Sequence, residues 1–391
     1  MHIWIRTPAA PPRQISLYCT DMRDTFLHYI VRYAFPFCIL VCLTGCGDFV
    51  GMKDDDTDIN GVEKVQIFIP RDKVHWLYNS VTDNIYTPCI LEKEKWRGDA
   101  VIKVRGDTSR ANYKKSFGLK INGRKYMLER GQENGGIYNR IAMRTYQLAG
   151  VPACDTESVG LFLNDSYLGC YNFITYYHED ELKGELFKCV FPDSDYMVDD
   201  HPIRAKSDKK YPDDGDFSNL EHLIAVLTTT SDADWNKFVN ENVEVEEVAS
   251  YMAAHDFLTV VDTRGANFYI NYDGKYRLIP WDNERCLLKN SAGYIICNDN
   301  KLIRRLAAVP EVKTAYNRRM QELFTGGGAS CILDQLQDEV AAMFDNLATA
   351  MESDPCFATS RQDFMKIKAY VLAYLDKNMG RASQVDKLTL H

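Results

Sequence analysis

Asp262-Thr263-Arg264-Gly265-Ala266-Asn267, followed shortly by Trp281-Asp282-Asn283-Glu284, is the stretch whose reading decides the fold. An Asp and an Asn five positions apart can place, from one loop, a carboxylate on an attacking hydroxyl and an amide oxygen on a metal ion. A second Asp on the next hairpin can reach that metal from the other side. The residues between supply the hairpin. Asn267 to Tyr272 reads as a strand, Asp273-Gly274 as a tight turn and Lys275 to Pro280 as the returning strand. Asp262 and Asp282 are then expected at the same end of it. Upstream, Val248, Met252, His255, Leu258 and Val261 recur at helical spacing from Val245 to Val261, so Asp262 should emerge just past a buried helical face. The plainer alternative is that Asp262 ends a helix and Asp282 begins a loop, since Asp-x4-Asn alone occurs in many chains.

Hard oxygen donors in this order are what phosphoryl transfer from ATP requires, and protein kinases present them so. A second block adds cations: Arg105-Gly106-Asp107-Thr108-Ser109-Arg110, then Lys114 to Lys120. Lys115, Phe117, Leu119 and Ile121 alternate with Lys114, Ser116, Gly118 and Lys120, the period of a half-buried strand. A lysine on the apolar face is costly unless an anion meets it, and ATP phosphates are one candidate. The alternative is a packed stem with the ammonium in solvent. Arg105 at a turn can grip phosphate oxygens in fork geometry, with Thr108 and Ser109 lining the same loop. The same residues also suit a plain β-turn.

These two blocks together resemble the spore-coat CotH kinase family, whose members carry Arg-Gly-x-Ser/Thr-Ser/Thr-Arg followed by Lys-Lys-Ser-aromatic. Leu163-Asn164-Asp165-Ser166-Tyr167-Leu168-Gly169 resembles that family's Leu-Asn-Gly-x-Tyr-x-Gly hairpin, and the span from Asp262 to Asp282 its Asp-x4-Asn and Pro-Trp-Asp stretch. The likeness covers roughly residues 63 to 290. It implies an α+β, atypical protein-kinase-like two-lobed fold, with a β-rich first lobe and a mainly helical second lobe, transferring phosphate from ATP to protein Ser or Thr. It further implies Asp262 as the catalytic Asp and Asn267 and Asp282, with Glu284, as ligands of Mg2+ or Mn2+. Arg105, Ser109, Lys114 and Lys115 would belong to the nucleotide site. The chain departs from the family in three places. Glu284 stands where relatives place Asp, Thr175-Tyr176 where they have Thr-Glu, and Val260-Val261 where a polar residue commonly precedes the catalytic Asp. Glu179 is the candidate to replace the missing carboxylate.

At 391 residues, with 46% hydrophobic and 12% aromatic residues, the chain can bury a large core or two lobes around a cleft. A formal charge of −9 without a long basic run argues against nucleic-acid binding and suits a basic or Ser-rich protein acceptor. Ala34 to Gly45, preceded by Arg32 and ending in Leu43-Thr44-Gly45-Cys46, resembles a bacterial lipoprotein signal. Cleavage there leaves Cys46 acylated and the protein held at a lipid bilayer in the cell envelope, facing the periplasm or the outside. Residues 1–45 are thus expected to be the signal peptide, with Met22 the true start. Residues 46–62 form an acidic tether, 63–200 a β-rich lobe and 201–391 a helical lobe. Asp56, Asp58 and Asn60 imitate the start of a calcium loop, but Ile67 occupies its twelfth position, which argues against that reading. Cys89, Cys154, Cys170, Cys189, Cys286, Cys297, Cys331 and Cys356 form no Cys-x-x-Cys pair, which disfavours zinc and dithiol chemistry.

Strands are expected at Val65 to Pro70, Val101 to Arg105, Ser116 to Ile121, Ser158 to Leu163 and Leu168 to Ile174. Helices are expected at Asn139 to Leu148, from a Ser218 cap to Leu227, and at Leu302 to Leu323, Cys331 to Met351 and Arg361 to Lys377. Lys206 to Asp216 reads as a loop, Gly326 to Gly328 as a helix stop, His178 to Glu181 as a solvated charged turn and His255 as a core histidine. The rival to a kinase is a non-catalytic lipid-anchored protein that keeps the fold to bind a partner or glycan. A third reading is nucleotidyl transfer from the same metal site.

Overall fold

The computed structural model describes residues 52–53, 58–79, 85–106, 110, 112–131, 134–189, 207–260, 267–287, 300–325, 330–356 and 360–382. Asp262, Ser109, Cys46, the Gly326 to Gly328 run and the expected signal segment lie outside them. All described residues belong to one compact unit, Gly51–His391. No helix among them is long and apolar enough to cross a membrane.

The first half closes into a barrel. Its strands are β1 (Met52–Lys53), β2 (Glu63–Phe68), β3 (Thr87–Lys93), β4 (Trp96–Arg105), β5 (Ser116–Ile121), β6 (Arg124–Glu129), β7 (Thr156–Leu163) and β8 (Ser166–Thr175), with α1 (Arg71–Asn79) after β2 and α2 (Ile137–Leu148) after β6. The order is β1-β8-β6-β5-β4-β3-β2-β7, and β7 also pairs with β8, so seven strands form a ring with β1 appended. Only β2–β7 is parallel. Closure removes the open edges of a sheet. Alternate residues fill the inside: Val65, Ile67, Leu91, Ile102, Phe117, Leu119, Leu128 and Leu161 are fully buried. The turn between β5 and β6 is Asn122-Gly123, both at positive φ (50° and 82°), the backbone that suits a two-residue hairpin. The expected β-rich first half is therefore present, as a closed barrel rather than an open kinase-lobe sheet.

A second sheet, β10-β9-β11-β12, is built from β9 (Glu185–Cys189), β10 (Ser207–Tyr211), β11 (Phe268–Tyr272) and β12 (Tyr276–Pro280). The Lys206 to Asp216 segment expected as a loop thus contains a strand. Its charges are neutralised locally, because Lys209 Nζ meets Glu185 Oε1 at 2.6 Å and Asp214 Oδ1 at 2.7 Å, while Tyr211 is buried. Met127 and Ile174 of the barrel pack with Met143, Leu186, Tyr269, Ile279 and Trp281, cementing barrel, α2 and sheet together.

Helices follow: α3 (Ser218–Thr229), α4 (Asp232–Asn242), α5 (Val245–Leu258), α6 (Lys301–Ala307), α7 (Pro310–Phe324), α8 (Leu333–Glu352) and α9 (Arg361–Ala382). From Val248 to Leu258 every residue of α5 is buried, so this is a central helix packed all round rather than on one stripe. It ends at Leu258, short of the expected Val261, because Thr259 turns left-handed at φ 52°. The helix expected over Leu302 to Leu323 is two helices. Pro310 fills the first position of α7 and holds Val309 extended (φ −71°, ψ 126°), which breaks the run. Ser218 is the first helical residue rather than the cap; Asp216 Oδ1 accepts its N–H at 2.9 Å. His255 is a satisfied core histidine, as expected. Its Nδ1 lies 2.7 Å from Tyr146 Oη, and burial pushes it down to about 3.

Candidate active site

A cleft of about 770 Å³ opens between the outer face of the barrel and the second sheet. The barrel contributes Arg105 and Glu129, β9 contributes Lys188, and the segment after β8 contributes Tyr176 and Glu179. Asn267, Trp281, Asp282 and Glu284 come from the open end of the β11–β12 hairpin. The register explains that convergence. Phe268 faces Pro280, so Asn267 and Trp281-Asp282 leave the two strands side by side. Asn267 and Asp282 both adopt left-handed backbone, at φ 66° and 57°. That conformation is strained for residues with a Cβ, least so for Asn and Asp, and such strain clusters where geometry serves function.

Beneath Asp282 lies a buried polar layer. Glu129, at the end of β6, is 4% exposed and accepts from Asn139 Nδ2 at 3.0 Å and Asn172 Nδ2 at 3.0 Å. Burial pushes its carboxyl up to about 8, with the Glu284 and Asp282 carboxylates adding to the rise. Asn283 is fully buried. Its backbone N–H donates to Asn139 Oδ1 at 3.2 Å, whereas both atoms of its side-chain amide, like Asn172 Oδ1, have no hydrogen-bond partner. Buried polar atoms are rarely left so, and an ion or ordered water is the usual remedy. Gly136, at φ 81°, permits the close approach here, since a Cβ would stand 2.8 Å from Asn172 Cβ.

The facing wall is cationic. Arg105 lies 4.9 Å from the Tyr176 ring centroid and 5.5 Å from that of Trp281; Lys188 Nζ is 5.5 Å from Trp281. Burial lowers Arg105, with Asp282 pulling the other way. Burial likewise brings Lys188 down to about 8, helped by Arg105 and Lys210. Two desolvated cations side by side are what an anion would relieve.

The family model described as CotH kinase protein matches residues 102–378. The chain belongs to the CotH kinase family. That CotH kinase match takes in Arg105, Glu129, Lys188, Asn267, Asp282 and Glu284. No curated protein matches the chain. Among solved structures, the crystal structure of the Helicobacter pylori proinflammatory kinase CtkA aligns at 12% identity over 73% of this chain and 95% of that one. Its TM-score is 0.30, a likeness too slight to bear on this chain.

Of the residues singled out from sequence, Arg105, Asn267, Asp282 and Glu284 meet in the cleft, and Glu179 joins them. Lys114 and Lys115 do not line it. Lys114 is turned the other way, into a buried pair: its Nζ donates to Asp354 Oδ2 and to the Cys170 carbonyl, both at 2.7 Å. Lys115 Nζ donates to the Arg110 carbonyl at 2.5 Å, tying the strand to the loop before it. The motif's Gly169, at φ 108°, is explained by the same pair, because a Cβ there would stand 2.3 Å from Asp354 Oδ2. Sequence reasoning missed Glu129 and Lys188. Lys188 had a readable signal, as a lone cation in the apolar run Leu186-Phe187-Lys188-Cys189-Val190-Phe191. Glu129 had none, because Asn172 and Asn139 reach it only through the barrel pairing and α2. Among the described residues no group of three or more His, Cys, Asp or Glu side chains is arranged to hold a metal. The oxygen donors of Asn267, Asp282 and Glu284, beside the orphaned amide oxygens of Asn172 and Asn283, fit a hard cation such as Mg2+ in donor type.

Proposed function

We propose that the chain is a protein kinase that transfers the γ-phosphoryl group of Mg-ATP to a Ser or Thr hydroxyl of an acceptor protein, from the cleft between barrel and second sheet. Residues toward the N-terminus form one lobe of that arrangement and the helices the other. The reading rests on one observation above all: in a single cleft, two desolvated cations, Arg105 and Lys188, face an oxygen-donor end held by strained backbone at Asn267 and Asp282.

Arg105 and Lys188 bind phosphate oxygens of the nucleotide, and Arg105, with five donors in a planar fork, fixes their orientation. Asn267, Asp282 and Glu284 hold Mg2+ or Mn2+. The ion, when bound, neutralises charge on the phosphate oxygens. Asp262 orients the acceptor hydroxyl and takes its proton as the new P–O bond forms and the bond to the ADP oxygen breaks. Glu129 supports the Asp282–Glu284 segment from below through Asn139, whose Oδ1 accepts the Asn283 N–H. Membership of the CotH kinase family supports phosphoryl transfer as the chemistry. The protein works in the cell envelope, acylated at Cys46, on acceptors outside the cytoplasm.

The test is calorimetric titration of Mg-ATP into the parent protein and into Asp282→Asn and Lys188→Met variants. The proposal expects binding by the parent that needs the divalent ion, loss of that ion requirement in Asp282→Asn, and weakened binding in Lys188→Met. A parent protein that binds no nucleotide contradicts it.

A further inference from the structure

Beyond Arg105 the outer face of the barrel carries a second group of cations that the phosphoryl-transfer reading does not use. On this face the register sets Lys103 of β4 opposite Gly118 of β5, and Val101 opposite Lys120, which in turn faces Lys125 of β6. Lys120 and Lys125 are thus like charges in directly paired positions, an arrangement that costs rather than stabilises. Lys103 and Lys120 crowd the same ring, their ammoniums 4.7 Å and 4.6 Å from the Tyr86 centroid. Lys103, Lys125, Tyr86 and Gly118 line the cleft, and Lys210 does so from β10 across it. The carboxylates that act on Lys125 electrostatically are Asp208 and Asp213, and Asp208 is already paired with Lys210. Mutual repulsion adds to burial in holding Lys103 and Lys125 below the ordinary lysine range.

A chain of net charge −9 that gathers Lys103, Lys120 and Lys125 on one barrel face beside its cleft, with Lys210 across from them, has concentrated positive charge against its own average. The Lys120–Lys125 pair lies four residues along the strands from Arg105, about 13 Å at 3.3 Å per residue. That separates it from the phosphate-binding end of the cleft. We infer that this lysine face docks an acidic segment of the acceptor protein, so that the substrate class is a Ser or Thr with anionic neighbours, carboxylate or phosphorylated, rather than the basic acceptor that overall charge suggests. The inference rests on the kinase reading for what happens to the docked segment, but the docking itself can be measured without catalysis.

The experiment uses the full-length protein and its Lys120→Glu/Lys125→Glu variant, with fluorescein-labelled peptides that carry one Ser flanked by Asp and Glu, by phosphoserine or by Lys. Fluorescence anisotropy at low and physiological salt reads binding, and Mg-ATP is titrated separately. Expected is about tenfold or greater preference of the parent for the anionic peptides over the Lys-flanked one, weakening with salt and inverted in the double variant, with Mg-ATP affinity unchanged. Tighter binding of the phosphoserine peptide than of the Asp/Glu peptide would assign the phosphorylated source, and the reverse the carboxylate source. Equal binding of anionic and Lys-flanked peptides by the parent would overturn the inference. So would a double variant that keeps the peptide preference but loses Mg-ATP, which would give the lysines to the nucleotide. Peptide discrimination without any Mg-ATP binding would refute the kinase reading while leaving the docking surface standing.

Discussion

Asp282 holds the most demanding position in the cleft, since it must turn its backbone left-handed at φ 57° while aiming a carboxylate beside Glu284 and above Glu129. Substitution therefore has two separable costs. Asp282→Asn keeps a side chain that tolerates left-handed backbone and removes only the charge, so phosphoryl transfer should fall about 100-fold or more with little change in melting temperature. Asp282→Ala should lose the same activity and also about 1 kcal/mol of stability, read by urea denaturation, because Ala gains nothing in exchange for the strain. Lys188 makes the opposite trade. Its ammonium is desolvated beside Arg105, so Lys188→Met should raise the stability of the nucleotide-free protein while weakening Mg-ATP about tenfold or more. Thermal unfolding with and without nucleotide checks both signs; a variant that loses stability and keeps affinity would show the lysine to be structural.

At the scale of elements, α5 is buried at every residue from Val248 to Leu258, and His255 is the imidazole among its titratable groups. In the fold His255 is held neutral down to about 3, against 6.5 for the free side chain. The unfolded chain binds the extra proton first, so this stability is complete above pH 6.5 and is lost as pH falls from 6.5 toward 3. The loss is about 1.4 kcal/mol per pH unit. Urea unfolding of a His255→Gln variant should show a shallower acid slope over that window than the parent. Elements of this kind were legible in the sequence where hydrophobic periodicity and capping dominate, as in α2, α5, α8 and α9 and the β11–β12 hairpin. They were illegible where neutralisation happens between segments. The charged strand Ser207–Tyr211 hides behind Lys209, whose partners lie on β9 and in the following turn. The break between α6 and α7 was announced by Pro310, and a periodic pattern on both sides of it concealed the stop. In the site, the hairpin end with Asn267 and Asp282 could be read because spacing alone brings the residues together. Glu129 could not, because only barrel closure sets β6 beside β8, where Asn172 reaches it. Lys114, given to the nucleotide site by the resemblance alone, sits in a buried pair instead. Alternation assigns a face, but the partner that decides its role, Asp354, is 240 residues away in sequence.

For the molecule as a whole, the Lys114–Asp354 pair joins the barrel to the segment just past α8. Both side chains are at most 2% exposed, and Asp354 also accepts the backbone N–H groups of Cys170 and Cys356. Lys114→Ala should cost about 3–5 kcal/mol, because a desolvated carboxylate is left behind, whereas a Lys114→Met/Asp354→Leu double variant should cost less than the two single changes summed. Chemical denaturation of the parent, Lys114→Met, Asp354→Leu and the double variant measures that coupling. The same barrel-to-helix arrangement frames the cleft on which the kinase assignment depends, and the most direct test of that assignment is mass. Full-length protein is incubated with ATP and Mg2+ or Mn2+, with and without a panel of basic and acidic Ser-containing acceptor proteins, beside the Asp282→Asn variant, and intact masses are recorded. Phosphoryl transfer predicts gains of about 80 Da per modified hydroxyl, on the chain itself or on an acceptor, in the parent alone. Unchanged masses throughout, an equal gain with Asp282→Asn, or a gain matching a nucleotidyl group would contradict it.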